Sequence, residues 1–477
     1  MLKVLMVTSE AEPFAKSGGL GDVLGALPKA LVKKGVDCRV VMPKYMLIKE
    51  EYSSQMVYKT NITIKVDWRN QYCGIFEMVK DGVTYYFIDN EYYFGGDSIY
   101  RWDDMERYIF FQKAALEILQ VVDFKPDVIN CHDWQSGLIP VLLDAQFKKG
   151  DFYKDIKTVV TIHNLKYQGV FSKKDANSML ELPEYYYTSD KIEYYGDINF
   201  LKAGIVYADS ITTVSSSYSE EIKQPYFGES LDGLLNAKSN NLCGIVNGID
   251  YDVYSPKNDK CIFYKYNARN FATGKAQNKL ALQEQLGLTM NKDVPIIGLI
   301  SRLFDQKGLD LIAEVMDDIV KMDMQFVILG TGDSKYEELF RHYATTHSDK
   351  VSANIMFDNT LAHRIYAASD MFLMPSLYEP CGLSQIISLS YGTLPIVREV
   401  GGLKDTIQSF NEFTGEGNGF SFWAYNAQDM LFTIKRALHF YSEPKVWNKI
   451  VRTAMKCDYS WDASADSYIS VYNQLRG

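Results

Sequence analysis

Positive charge is in short supply. Lys and Arg total 50 against 60 Asp and Glu, a formal net charge of −10. Partners of a nucleic-acid backbone favour basic surfaces, so a nucleic acid is not expected as the main ligand. Long apolar runs are also missing. Nothing approaches the roughly 18–20 residues that span a bilayer. The opening Met1-Leu2-Lys3-Val4-Leu5-Met6-Val7 runs straight into Glu10, Glu12 and Lys16. It has neither the apolar length nor the small-residue cleavage site of a signal peptide. Cysteine is sparse and scattered, at 38, 73, 131, 243, 261, 381 and 457. No two stand at the spacing of a zinc knuckle or a redox dithiol, and an odd, dispersed set suits reduced thiols. Six His with no local His/Glu cluster argue against zinc. These absences point to a cytoplasmic protein with no membrane partner.

What is present is ordinary globular composition, 47% hydrophobic and 23% charged. At 477 residues the chain is too long for one core, since cores stop growing beyond about 250–300 residues. Tyr is unusually common, 34 against only 13 Pro. Its apolar face and hydrogen-bonding tip suit a wet, sugar-like ligand, although genomic bias explains the number equally well.

Short β-rich runs alternate with helical patterns at both ends of the chain. Lys3–Thr8, Asp37–Met42, Asp127–Cys131 and Thr158–Ile162 read as strands, and Val57–Val66, Gly74–Val79 and Thr84–Ile88 as antiparallel additions. Helices are expected over Val23–Lys34, with Gly35 as the stop, and over Glu106–Val121 and Leu138–Phe147. The rhythm restarts with strands at Ile296–Ile300, Gln325–Leu329, Asn354–Phe357, Met371–Met374 and Leu394–Val397. Near-continuous apolar strands alternating with helices mean parallel sheets covered on both faces. The expectation is an α/β fold of two doubly wound halves, with the boundary near Leu242–Ile249, where Asn247-Gly248 signals a turn. The last helix, near Trp461–Leu475, has no partner that periodicity can name.

Three strand-to-helix turns carry candidate chemistry. Lys16-Ser17-Gly18-Gly19-Leu20-Gly21-Asp22 is neither a dinucleotide fingerprint nor a P-loop. It reads as a phosphate cradle or as a flexible loop with a solvated Lys16 and Asp22 as helix N-cap. Arg302 and Lys307 leave the strand Ile296–Ile300. A guanidinium fork plus an ammonium is what a diphosphate requires; the alternative is two solvated cations and a salt bridge to Asp305. In Glu379-Pro380-Cys381-Gly382-Leu383-Ser384, Glu379 is a carboxylate for sugar hydroxyls, and the amides of Gly382 to Ser384 open a helix and suit an anion. Cys381 is expected to pack and not react. In the first half, His132-Asp133-Trp134 and His163-Asn164 end two strands on one edge. Asp250-Tyr251-Asp252 has a metal-holding spacing but follows a turn, where a simple carboxylate pair is the plainer reading.

These motifs in this order resemble the bacterial glycogen synthases and plant starch synthases. The match runs through Val7-Thr8-Ser9-Glu10, Lys16-Ser17-Gly18-Gly19-Leu20, His132-Asp133-Trp134 and Thr161-Ile162-His163-Asn164-Leu165. It continues through Val246-Asn247-Gly248-Ile249-Asp250, Ser301-Arg302-Leu303, Gln306-Lys307-Gly308, Glu379-Pro380-Cys381-Gly382-Leu383 and Tyr391-Gly392-Thr393-Leu394-Pro395. The resemblance implies a GT-B architecture, two Rossmann-like domains facing across a cleft that holds the active site. An acceptor-side domain would span 1–245, with 458–477 packing back on it, and a nucleotide-donor domain 246–457.

The implied reaction is retaining transfer of glucose from ADP-glucose to the non-reducing end of an α-1,4-glucan such as glycogen, with no cofactor and no metal. Glu379, His163, Arg302 and Lys307 would be catalytic. Lys16, Gly18, Gly19, Asn247, Cys381, Gly382, Leu383 and Ser384 would bind the donor, and Asp133 and Asn164 the acceptor or sugar. Ser17 replaces the usual Thr, Gly21 a common Ala, Gln135 a frequent His, Lys166 a frequent small residue, and Phe357 an expected adenine-side Tyr. Ile387 stands where related transferases often carry a second Glu, as it does in this family. The competing readings are a related transferase using UDP-glucose or another acceptor, and a catalytically silent glucan-binding protein. A dehydrogenase lacks its third glycine here, and a phosphorylase needs a pyridoxal lysine and a longer chain.

Overall fold

The computed structural model describes residues 1–477. The chain forms two compact units, Met1–Gly248 with Trp461–Gly477, and Ile249–Ser460.

In the first unit the strands are β1 (Lys3–Val7), β2 (Asp37–Pro43), β3 (Val57–Val66), β4 (Arg69–Lys80), β5 (Val83–Asp89) and β6 (Val128–His132). They continue with β7 (Lys157–Ile162), β8 (Val170–Phe171), β9 (Glu193–Tyr194), β10 (Asp197–Asn199), β11 (Ser210–Thr213) and β12 (Leu242–Gly244). Nine of them form one sheet in the order β12-β11-β7-β6-β1-β2-β5-β4-β3. Every pairing from β12 to β5 is parallel. Val4, Leu5, Met6, Val128 and Ile129 are fully buried, as strands covered on both faces must be.

One expectation needs correction. Only β4 and β3 extend the sheet antiparallel; Thr84–Ile88 lies in β5, which runs parallel to β2. The Asp81-Gly82 turn, with φ of 52° and 79°, announces the hairpin to β4. Nothing local announces the distant pairing with β2. The helix expected at Leu138–Phe147 is broken as well. A 3₁₀ turn at Trp134–Ser136 leads to a single α turn, Ile139–Leu142, and a wide π turn, Leu143–Phe147. The last helix, Trp461–Arg476, belongs to this unit. Asn130 donates to its Tyr472 hydroxyl at 2.9 Å, and Lys34 pairs with its Asp466 at 2.8 Å.

The second unit holds β13 (Ile296–Ile300), β14 (Gln325–Leu329), β15 (Val351–Asn354), β16 (Met371–Met374), β17 (Leu394–Arg398) and β18 (Phe420–Phe422). All pair in parallel, in the order β15-β14-β13-β16-β17-β18. β15 (Val351–Asn354) ends on the first residue of the range expected for it, and Phe357 stands 92% exposed beyond it. The helix Phe271–Leu286 was not expected from its pattern, because its buried residues include Lys275, Asn278, Lys279 and Gln283. Each is satisfied inside the unit. Lys279 pairs with Asp370 at 2.7 Å, and Gln283 donates to Gln325 at 2.8 Å.

Both sheets have a point where strand order reverses, between β1 and β6 in one and between β13 and β16 in the other. In open parallel sheets ligands bind beyond the carboxyl ends of the strands at such points. No helix is long and apolar enough to cross a membrane.

Candidate active site

In the first unit, the loop after β1 is built around a buried carboxylate. Glu10 is 2% exposed. It accepts the Ser17 amide at 2.5 Å, the Ser17 hydroxyl at 2.7 Å and the Gly18 amide at 3.2 Å. The Tyr100 hydroxyl also donates to it. The Gly18 amide is therefore engaged by the protein itself. A Cβ at Gly18 or Gly19 would meet nothing within 4 Å, so both face open space. Asp22 is not the N-cap; Gly18 is, and the helix Gly19–Lys33 begins beyond it. Asp22 instead pairs with Lys16 at 2.6 Å, and Glu12 pairs with the same ammonium at 3.1 Å. Lys16 is thus exposed but not free. Burial pushes the Asp22 carboxyl up to about 6, against the pull of Lys16.

At the neighbouring strand ends, β6 and β7 bring His132, Asp133, His163 and Asn164 together. Asp133 has φ 59° and ψ −171°, a region that costs a residue with a Cβ about 1–3 kcal/mol. The contortion aims its carboxylate at the following strand end. Oδ1 accepts the His163 amide at 2.7 Å, and the Asn164 amide also donates to the carboxylate. His132 Nδ1 lies 2.9 Å from His163 Nε2. Burial lowers both imidazoles, His163 to about 3, so both rings are neutral at physiological pH.

Burial also raises the Asp133 carboxyl to about 7, against about 3.9 for a free Asp. The folded chain therefore holds this proton more tightly than the unfolded one. The resulting stability is full below about pH 4 and is lost as pH rises through about 7. Asp133→Asn should flatten that loss. Between pH 5 and pH 8, unfolding free energy from urea melts should fall by about 3 kcal/mol less in the variant than in the parent. Equal falls in the two proteins would refute the assignment.

Asn247 lies three residues beyond the edge strand β12, 5% exposed, with its buried Oδ1 unpartnered. No hydrogen bond joins it to the other candidates. Asp250 accepts the Asp252 amide at 2.8 Å, a local turn.

In the second unit, β13 and β16 are neighbours and their following loops are stitched together. Leu377 N–H donates to Gln306 at 2.9 Å. Lys307 Nζ pairs with Glu379 Oε2 at 2.5 Å, and the Ser376 hydroxyl donates to the same oxygen at 3.2 Å. Arg302 is exposed and has no carboxylate partner; its guanidinium stands 5.7 Å from the Phe304 ring. The salt bridge considered for these cations does not form, because Asp305 pairs with Lys335 at 2.6 Å. Cys381 is buried among packed groups, 5% exposed. Gly382, with φ 70°, leads into the helix Ser384–Ser390, which has no side-chain cap. Its first amides thus lack intrahelical acceptors.

Residues that sequence reading passed over hold this loop in place. Arg398 donates to the Leu377 carbonyl at 2.6 Å. Gly402 N–H donates to the Glu379 carbonyl at 3.1 Å. At Gly401, φ is 47° and a Cβ would stand 2.0 Å from that carbonyl oxygen. The available signal was the Gly401-Gly402 pair itself, at another strand-to-helix turn. Elsewhere in the unit, Asp259, Cys261 and His363 place ligand-type atoms within 4.8 Å of one another. The Asp259 carboxylate is already engaged by His363 Nδ1 at 2.8 Å, Tyr391 at 2.6 Å and the Cys261 amide at 2.7 Å.

Known proteins resemble this chain over its whole length. The starch synthase catalytic domain matches residues 3–237, and glycosyl transferases group 1 matches residues 284–453. The glycogen synthase of Lachnospira eligens is 55% identical over 100% of both chains. That of Clostridium novyi is 54% identical over 99% of both. The catalytic domain of starch synthase IV from Arabidopsis thaliana, bound to ADP and acarbose, superposes with a TM-score of 0.92 at 32% identity, covering 100% of this chain and 99% of that one. Sucrose-phosphate synthase from Thermosynechococcus elongatus, at 18% identity and a TM-score of 0.63 over 100% of this chain and 99% of that one, shares the fold. With full-length identity above half and the same two-unit GT-B fold, the chain belongs to the glycogen and starch synthase family of glycosyltransferases.

Proposed function

We propose that the chain transfers glucose from ADP-glucose to the non-reducing end of an α-1,4-glucan in the cytoplasm, with retention at the anomeric carbon and release of ADP. The observation that carries this reading is the set of groups at the β13/β16 loops. An unpaired guanidinium, Arg302, and an ammonium, Lys307, share one sheet edge with an uncapped helix start. Such a constellation suits a leaving diphosphate, whose negative charge grows as the anomeric C–O bond breaks. Arg302 and Lys307 neutralise that charge without a metal ion, and the amides of Gly382, Leu383 and Ser384 take phosphate oxygens. Glu379 spends Oε2 on Lys307 and Ser376. Its Oε1 has no protein partner and accepts a hydroxyl of the donor glucose. Cys381 shapes the wall beside it.

In the first unit, Lys16, Gly18, Gly19 and Asn247 serve the donor, His163 contacts the transferred glucose, and Asp133 and Asn164 serve the sugar and acceptor. Asp133 is a poor nucleophile, since its carboxylate already binds two amides. Retention then proceeds by same-face attack guided by the leaving phosphate. The likeness to a starch synthase solved with ADP supports adenine as the donor base.

Incubation with glycogen and either ADP-glucose or UDP-glucose tests the reading. Nucleotide release and glucan growth are followed together. ADP-glucose should support both, at least about tenfold faster than UDP-glucose, a difference of about 1.4 kcal/mol. Faster UDP release would reassign the donor, and glycogen binding with no nucleotide release from either would reject catalysis.

A further inference from the structure

The pair formed by His132 and His163 holds one feature that the roles above leave unused. His132 ends β6 with no exposed surface. Its Nδ1 is 2.9 Å from His163 Nε2, and its own Nε2 is buried without any partner. His163 is half-buried, and its Nδ1 has no protein partner. That nitrogen is not among the enclosed, unsatisfied atoms, so it reaches the surface.

One proton lies between the two rings, and its position decides what His163 offers a ligand. If His163 Nε2–H donates, neutral His132 must carry its proton on Nε2. That leaves a buried N–H with nothing to bind. If His132 Nδ1–H donates, only a lone pair is left unmet. Buried N–H groups without acceptors are rarer in proteins than under-used acceptors. A neutral imidazole has a single proton, so the bond at one nitrogen sets the role of the other.

We infer that His132 is a positioning residue: its Nδ1–H donates to His163 Nε2 and holds His163 in the tautomer that presents Nδ1–H to a sugar hydroxyl oxygen. The inference rests on the reading of His163 as a contact to the transferred glucose. Its chemical content is that His163 binds as a fixed donor and does not act as a base. The neutrality of both rings keeps that role constant across the working pH range.

Nitrogen-15 imidazole spectra of the full-length protein read the tautomer directly, and with only six His each signal can be assigned by single replacement. His163 should show a protonated Nδ1 and a bare Nε2; a proton on Nε2 overturns the inference whatever the activity. His132→Asn keeps a side-chain N–H near the position of Nδ1, whereas His132→Leu removes it. With ADP-glucose and glycogen, His132→Leu should lose about tenfold in kcat, the worth of one neutral hydrogen bond. KM for glycogen and the urea midpoint should hold, and the His163 signals should shift toward a tautomer mixture. His132→Asn should recover most of the rate. Equal rates in the two variants overturn the inference. If His132→Leu does not fold, the spectrum and rate of His132→Asn decide: a mixed tautomer or a tenfold loss there counts against it. Full turnover by His163→Ala, with the tautomer as inferred, would instead reject the sugar-contact reading.

Discussion

Lys307→Ala is expected to lower kcat by about 10²–10³-fold, the usual cost of removing one preorganised group that stabilises developing charge. The side chain is 19% exposed and already held at 2.5 Å from Glu379. It therefore waits in place before any substrate arrives and needs no reorganisation as the bond breaks. Arg302→Ala should cost a similar factor for a different reason. Its fork carries no competing carboxylate, so it is free for a bidentate grip on phosphate oxygens. Arg302→Lys keeps the charge but loses the fork, and its turnover should fall between those of the parent and Arg302→Ala. Affinity for glycogen should stay within about twofold in all three, because a leaving-group contact acts only once charge develops. Steady-state ADP release with saturating glycogen measures the first quantity, and co-sedimentation with glycogen the second. Unchanged turnover in both alanine variants would reject the assignment.

Lys279→Met should cost the second unit about 3–5 kcal/mol, the usual price of orphaning one member of a buried ion pair. Lys279 and Asp370 are 2% and 8% exposed and 2.7 Å apart. Without the ammonium, the carboxylate keeps only the Ile296 amide, and the carbonyls of Lys292 and Val294 lose a donor. Lys275, one turn earlier on the same helix, supplies the contrast. It is buried with neutral acceptors alone, Ala367, Tyr391 and Thr393, and burial lowers it to about 7. The Tyr266 hydroxyl, with one proton to donate, also lies within hydrogen-bond distance of both carbonyls that Lys275 reaches. Lys275→Met should therefore cost less than about 1 kcal/mol, since no charge is stranded. Urea unfolding of the two variants at pH 7.5 separates the cases, and equal losses would contradict the distinction.

The features legible in sequence were those announced by local chemistry. Apolar runs such as Val4–Val7 and Ile296–Leu299 are buried on both faces, and a strand of that kind has only one place in an α/β domain. The loops with Lys16, Arg302, Lys307 and Glu379 were legible because glycine and charge follow such strands directly. The groups that hold those loops were not. Glu10 lies at a strand end and looks like any surface acid until Ser17, Gly18 and Tyr100 close over it. The helix Phe271–Leu286 hid its register because its inner face is made of lysine, asparagine and glutamine. No periodicity of apolar residues can show a face whose polar groups are satisfied by partners far away in the chain.

The sequence by itself determined that there are two doubly wound α/β domains, and that cations, glycines and a carboxylate stand at the strand-to-helix turns. Tertiary structure decided what each charge does. Lys16 is taken by Glu12 and Asp22, Asp305 by Lys335, and Lys307 by Glu379, while Arg302 is left open. Local pattern cannot make that choice. An ammonium binds whichever carboxylate the fold brings within about 3 Å, and for Lys307 that carboxylate lies 72 residues along the chain.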